Sequence, residues 1–242
     1  MAYLWGMPAK PAPETLLRPV RQGNAFEDTV ARLLETIRLG MLAPGEALPP
    51  ERDLAVRLGV SRDTVREAIK SLADAGYLQS RRGRYGGTFL AEQLPMPRAG
   101  GIRLNRADID DVLRLREVLE VGAARMAAGR VLGDAETETL RGRLDEVCGA
   151  ASEDYRRLDS RLHLAIAAAA GSPSLVPLVA ENRMRVNALL DQIPLLARNI
   201  VHSDEQHAAI VEAVLAGDEQ AAADAMRAHL AGSAALLHGF LD

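Results

Sequence analysis

Apolar residues recur along most of the chain at steps of three and four. Val30, Leu33, Leu34, Ile37 and Leu39 form the first such stripe, and Gly40, Pro44 and Gly45 break it. A second helix is predicted to begin near Pro50, because a proline in the first turn gives up an amide that had no intrahelical partner. Leu54 and Leu58 supply its buried side. Gly59 permits a tight turn, and Ser61 suits the N-cap of a third helix. In that helix, "SRDTVREAI" onward, Val65, Ile69 and Leu72 turn inward while Arg62, Arg66 and Lys70 line the opposite face. The pattern then changes. "GYLQSRRGRYGGTFL" reads as a strand, a glycine-rich turn and a second strand, with Arg81, Arg82 and Arg84 at the tip.

"EQLPMPRAGG" interrupts the chain as a linker would, and beyond it the period is helical throughout. Helices are predicted near 107–131, 134–150, 152–170, 174–191, 195–216 and 218–238. The expected fold class is therefore mainly α: an N-terminal winged helix-turn-helix with a small hairpin wing, then an antiparallel all-α bundle. The expected domains are a leader at 1–24, a winged helix-turn-helix domain at 25–92, a linker at 93–105 and a helical effector and dimerisation domain at 106–242.

Composition narrows the classes. At 242 residues and 48% hydrophobic the chain can build real cores. Its longest apolar run, "LAIAAAA", is too short for a membrane span, and the N-terminal "MAYLWGMPAKPAPET" lacks signal-peptide order. A single cysteine, Cys148, leaves no internal disulfide framework and no multi-cysteine zinc site. These features predict a cytoplasmic protein with no membrane partner. The net charge of -4 hides an uneven distribution: residues 93–242 carry 16 cations against 22 anions, whereas Arg57 to Arg84 carry seven against three. A basic footprint would thus be one local face. Two short helices joined by a glycine turn can place the second in a major groove, where an arginine fork bonds guanine O6 and N7 or clamps a phosphate. A basic hairpin beside them would reach the backbone or minor groove.

On these residues a resemblance becomes specific. "GMLAPGEALPPERDLAVRLGVSRDTVREAIKSLADAGYLQSRRGRYGGTF" resembles the winged helix-turn-helix of GntR-type bacterial transcription regulators. The resemblance implies DNA contacts from Arg52 on the second helix, Arg62, Thr64 and Arg66 on the third, and Arg82 with Gly83 in the wing. Asp63 departs from the family, where a small residue is common. An acid there either accepts from a cytosine amine or caps the helix.

In the helical half, polar residues on apolar faces are the informative ones. Asp159 and His163 are four apart, His207 heads the stripe Ile210, Val211 and Val214, and His229 lies within the stripe Met226, Leu230 and Leu237. A lone histidine so placed is ordinarily a hydrogen-bonded core residue. Burying three imidazoles and a carboxylate together without a cation would be costly. The constellation resembles the effector domain of the FadR-type branch (FCD domain), whose metal-binding members hold a divalent ion through an Asp, a His four residues on and two later histidines. That resemblance implies a metal at Asp159, His163, His207 and His229, with zinc favoured and nickel or manganese able to fit. His202 and His238 do not match and are expected at the surface or terminus.

Arg116 in "DVLRLREVLEVGAARMAA" matches the arginine that in the family binds a small carboxylate. The bland alternative is an exposed pair with Glu120, one turn on. Asn182 and Arg185 in "ENRMRV" are further pocket neighbours to consider, and Ser172 stands where many members have Asn. The resulting expectation is a ligand-responsive regulator, a repressor more than an activator, and not an enzyme. It would bind a near-palindromic DNA operator as a homodimer and sense a small organic acid. The competing classes are a metal-dependent hydrolase-like enzyme, with the metal activating water, and a regulator with a purely structural metal.

Overall fold

The computed structural model describes residues 23–38, 42–81, 83, 86–95 and 106–241, and the chain divides into two compact units, Met1–Pro95 and Met96–Asp242. The leader up to Gln22, Arg82 and Arg84 of the wing, and 96–105 of the expected linker lie outside the described residues.

The first unit holds α1 (Ala25–Arg38), α2 (Glu51–Leu58), α3 (Arg62–Asp74), β1 (Leu78–Arg81) and β2 (Gly87–Leu90). Its core is the set the helical period selects: Val30, Leu33, Leu34, Ile37, Leu54, Leu58, Val65, Ile69 and Leu72 are all buried. Pro50 stands one residue ahead of α2, at the cap position, rather than inside its first turn. Gly59 closes α2 with φ 67°, a left-handed conformation that costs a glycine little. Ser61 then caps α3 in extended backbone, its side chain accepting from the Thr64 amide at 3.0 Å. Local chemistry thus sets the turn and the start of α3, and the buried apolar faces of α2 and α3 hold them in the unit.

β1 and β2 pair antiparallel, with Leu78 opposite Leu90 and Arg81 opposite Gly87. The hairpin is also anchored where the sequence pattern shows only a loop. Ala47 bridges Phe89, the Leu48 amide donates to the Thr88 carbonyl at 2.8 Å, and the Leu90 amide to the Glu46 carbonyl at 2.9 Å. The residues before α2 therefore act as a third edge beside β2, holding the wing to the start of the helix-turn-helix.

The second unit is α4 (Arg106–Ala128), α5 (Asp134–Cys148), α6 (Tyr155–Ala169), α7 (Leu175–Leu190), α8 (Ala197–Ala216) and α9 (Glu219–Leu241). α6 starts three residues later than its period predicts, because the Asp154 amide closes a turn onto the Ala151 carbonyl and the helical ladder begins only at Asp154. α9 continues past the expected end to Leu241. α4 packs against α6, α7, α8 and α9 and is the centre of the bundle. Its inward stripe runs Ile109, Val112, Arg116, Glu120, Ala123 and Ala127, so an arginine and a glutamate sit where the spacing demands core residues.

Candidate metal centre and nucleic-acid interface

Four side chains from three helices converge in the bundle. Asp159 and His163 stack one turn apart on α6, His207 comes from α8 and His229 from α9. All four are buried, and one ligand atom from each lies within 4.8 Å of the others. The imidazole centroids are 5.5 Å (His163–His207), 5.2 Å (His163–His229) and 4.5 Å (His207–His229) apart. Asp159 Oδ1 is 3.2 Å from His207 Nε2 and 3.6 Å from His163 Nε2.

The donor set fits a divalent ion. Both ring nitrogens of His163 and of His207 are buried without a well-formed hydrogen bond, which is costly unless an ion or a closer partner engages them. Burial lowers the pKa of His207, and burial with the neighbouring His207 and His163 lowers that of His229 further. Both rings are thereby held in the neutral form a metal requires. Burial pushes the Asp159 carboxyl up, yet Arg183 and His163 outweigh it and hold the group well below the usual carboxylate range. The arrangement could hold a metal ion through one carboxylate and three imidazoles.

A second ring of side chains orients the first. Each histidine turns Nδ1 toward a side-chain oxygen: His163 contacts Glu120 Oε2, His207 lies 4.0 Å from Asp204 Oδ1, and His229 lies 3.2 Å from Gln206 Oε1. Asp204 also accepts from the Tyr155 hydroxyl at 3.5 Å, and burial raises its pKa to about 6. Arg183 on α7 donates to Asp159 Oδ2, and to Ser160 Oγ at 3.1 Å. Its Nη1 comes within 3.8 Å of Glu120 Oε1. Arg116 Nε donates to Glu120 Oε1 at 3.1 Å, and Nη1 to Ser233 Oγ at 2.8 Å.

Several sequence expectations change here. Arg116 does pair with Glu120, but neither is exposed: each shows 2% of its surface, since α4 is the central helix. Asn182 is buried and donates to the Val112 carbonyl at 3.1 Å. Arg185 is exposed, lining a surface depression with Asp108 and Asp111, whereas Arg183 enters the cluster. Arg183 was not anticipated, and Glu120 only as an exposed partner of Arg116. Their signal was present in the stripes Val112–Arg116–Glu120–Ala123 and Val179–Arg183–Val186. His202 and His238 are half-buried and stand outside the cluster, His238 beside Asp110 at 3.3 Å.

On the first unit, Arg52, Arg62 and Arg66 are exposed and Thr64 half-buried at the α3 N-terminus. Arg66 is bracketed by two acids, with Nη1 2.9 Å from Asp63 Oδ1 and Nε 3.4 Å from Glu51 Oε2. Asp63 thus binds Arg66, and the capping role belongs to Ser61. Arg52 Nε pairs with Asp53 Oδ1 at 3.2 Å. In the wing Gly83 has φ 110° and is exposed, and Arg81 stacks on the Phe89 ring at 4.4 Å from its centroid. Arg82 lies outside the described residues.

Known proteins carry the same two parts. Residues 26–90 match "Bacterial regulatory proteins, gntR family" and residues 111–232 match "FCD domain". An Escherichia coli (strain K12) protein named as an L-lactate dehydrogenase operon regulatory protein is 32% identical over 240 residues, covering 89% of this chain and 86% of its own. The transcriptional regulator LutR of Bacillus subtilis (strain 168) is 30% identical, covering 85% of this chain and 98% of its own. Among solved structures, E. coli McbR/YncC shares the fold with a TM-score of 0.50 at 18% identity, over 94% of this chain and 97% of that one. With a gntR-type helix-turn-helix followed by an FCD domain, this chain belongs to the GntR family of bacterial regulatory proteins and is a DNA-binding transcriptional regulator of the ligand-responsive FCD type.

Proposed function

We propose that the chain is a metabolite-responsive repressor that binds a near-palindromic operator as a homodimer. It holds a divalent ion at Asp159, His163, His207 and His229 and senses a small carboxylate beside it. The observation that carries this reading is the buried cluster of one carboxylate and three imidazoles flanked by two buried guanidiniums. Three nitrogens and one oxygen favour zinc, with nickel and manganese as the other candidates. A bound ion would supply positive charge and an open ligand position at the cluster. Arg116 would then offer its guanidinium to the same carboxylate, beside the bonds it already makes to Glu120 and Ser233. The name of the E. coli relative makes lactate and other hydroxy acids the first effectors to try.

For the operator, Arg52, Arg62, Thr64 and Arg66 are the proposed contacts on α2 and α3, with Arg82 and Gly83 at the wing. A two-fold dimer would present two such helices to successive major-groove segments. Leu115, Val118 and Met126 on one outer face of α4 are exposed, the kind of apolar surface a dimer covers. The compartment of such a regulator is the cytoplasm.

The test is a set of thermal melts of the full chain with a panel of small organic acids, with and without a chelator. The expected result is that at least one acid raises Tm only in the metal-loaded protein. If no acid moves Tm in either form, the carboxylate sensor is wrong and the metal is structural.

A further inference from the structure

Every ligand histidine has an oxygen against Nδ1, but the three oxygens are not equivalent. Asp204 is partly exposed and 4.0 Å from His207, and Gln206 is a neutral amide. Glu120 is buried and touches His163 directly. Its opposite carboxylate oxygen accepts from Arg116 Nε at 3.1 Å, with Arg183 Nη1 as a longer ion-pair partner at 3.8 Å. Glu120 sits on α4, at the centre of the bundle, with 2% of its surface exposed.

We propose that Glu120 is the positioning residue of the metal centre: its Oε2 accepts a hydrogen bond from the Nδ1–H of His163, which fixes the ring with the Nε2 lone pair toward Asp159, His207 and His229. Oε1, held by Arg116 and Arg183, keeps the carboxylate in place. This rests on the metal reading above and adds to it a residue that is not itself a ligand. Two physical points support the assignment. A metal-ligating imidazole needs its other nitrogen committed to a hydrogen-bond acceptor, or the ring and tautomer are free to change. A carboxylate buried beside two guanidiniums is preorganised for that duty, whereas a water would have to be ordered for it. Glu120 also joins the ligand His163 to Arg116, so the metal side and the guanidinium side of the cluster share one carboxylate.

The experiment is cobalt titration of the full-length protein, followed by chelator competition with zinc, for the wild type, Glu120→Ala, Glu120→Gln and the control Glu117→Ala. Glu117 is on the same helix but exposed, pairing only at the surface with Arg227. Metal affinity is expected to fall about 10- to 100-fold in Glu120→Ala. The cobalt visible spectrum should change in the same variant, and Glu120→Gln, whose amide oxygen can still accept from His163, should recover part of both. Glu117→Ala should match the wild type. A general loss of packing would lower thermal stability without changing the cobalt spectrum. Where Glu120→Ala does not fold, the spectrum of Glu120→Gln decides. A wild type that binds metal, with Glu120 variants of equal affinity and identical spectrum, overturns the positioning role and leaves the metal centre standing. A wild type that binds neither cobalt nor zinc overturns the metal centre itself.

Discussion

At the residue scale, Asp63 is the position where this chain departs from a purely basic recognition face. Its carboxylate holds Arg66 Nη1 at 2.9 Å while Glu51 approaches Nε at 3.4 Å, so the two acids steady the guanidinium through those two nitrogens. Both side chains are well exposed, so the pair contributes little to stability. Its consequence is for DNA. A carboxylate near phosphates opposes binding to any duplex, and a buttressed arginine loses less rotamer freedom when it meets a guanine. Arg66→Ala should therefore weaken operator binding strongly, by about 1–3 kcal/mol, and leave the melting curve of the first unit unchanged. Asp63→Ala should tighten binding to arbitrary duplex yet narrow the gap between operator and arbitrary duplex. Gel shifts on both DNAs at two salt concentrations measure this. An Asp63→Ala protein with an unaltered operator-to-arbitrary ratio would remove the acid from recognition.

At the element scale, the helix-turn-helix depends on its caps. Ser61 Oγ accepts from the Thr64 amide at 3.0 Å and also meets the Thr64 hydroxyl at 2.8 Å, so the first turn of α3 is ordered by one side chain. Ser61→Ala should cost about 1 kcal/mol. Because the frayed turn carries Arg62 and Thr64, operator affinity should drop even with the fold intact, which denaturant melts and gel shifts together would reveal. Most of this architecture is legible in the sequence, since periods, glycines and caps are local signals. Six helices fall in the second unit where the stripes place them, with ends displaced by a few residues. What the pattern hides is the depth of a charged stripe. An Arg and a Glu one turn apart look alike on a surface and in a core, so Arg116–Glu120 is separated from a solvated pair only by its apolar flanks Val112 and Ala123. Similarly, Arg183 and Arg185 lie about 200° apart around a helix, so one faces inward when the other faces out. The third edge beside β2 escapes altogether, because "EALPP" has two prolines and no alternation, and its pairing is supplied by residues some forty positions on.

At the scale of the whole molecule, the second unit places strongly interacting titratable groups in its interior, and its stability must follow their protons. His207 and His229 have pKa values lowered from 6.5 by burial, so the unfolded chain binds protons that the folded chain refuses. Their contribution is complete above 6.5 and is lost as pH falls from there through the lowered values. Asp204 acts in the opposite sense, its pKa being raised to about 6, so one carboxyl partly offsets two imidazoles. Glu120 and Asp159, both held below their ordinary 4.5 and 3.8, add stability that is present above those values and lost below them. Chelator-treated protein should therefore lose stability in two stages as it is acidified, gradually below 6.5 and more steeply below 4.5. Zinc should raise Tm fully down to the lowered values of His207 and His229 and lose effect only as acid passes through them and protons compete for those two rings, and the increment should grow with zinc concentration. His207→Ala and His229→Ala should each lower bound metal on elemental analysis and flatten the first stage of the acid profile. The decisive comparison is the metal-free wild type against the two variants: identical pH profiles would mean the histidines do not titrate as buried groups, and the charged interior would need another origin.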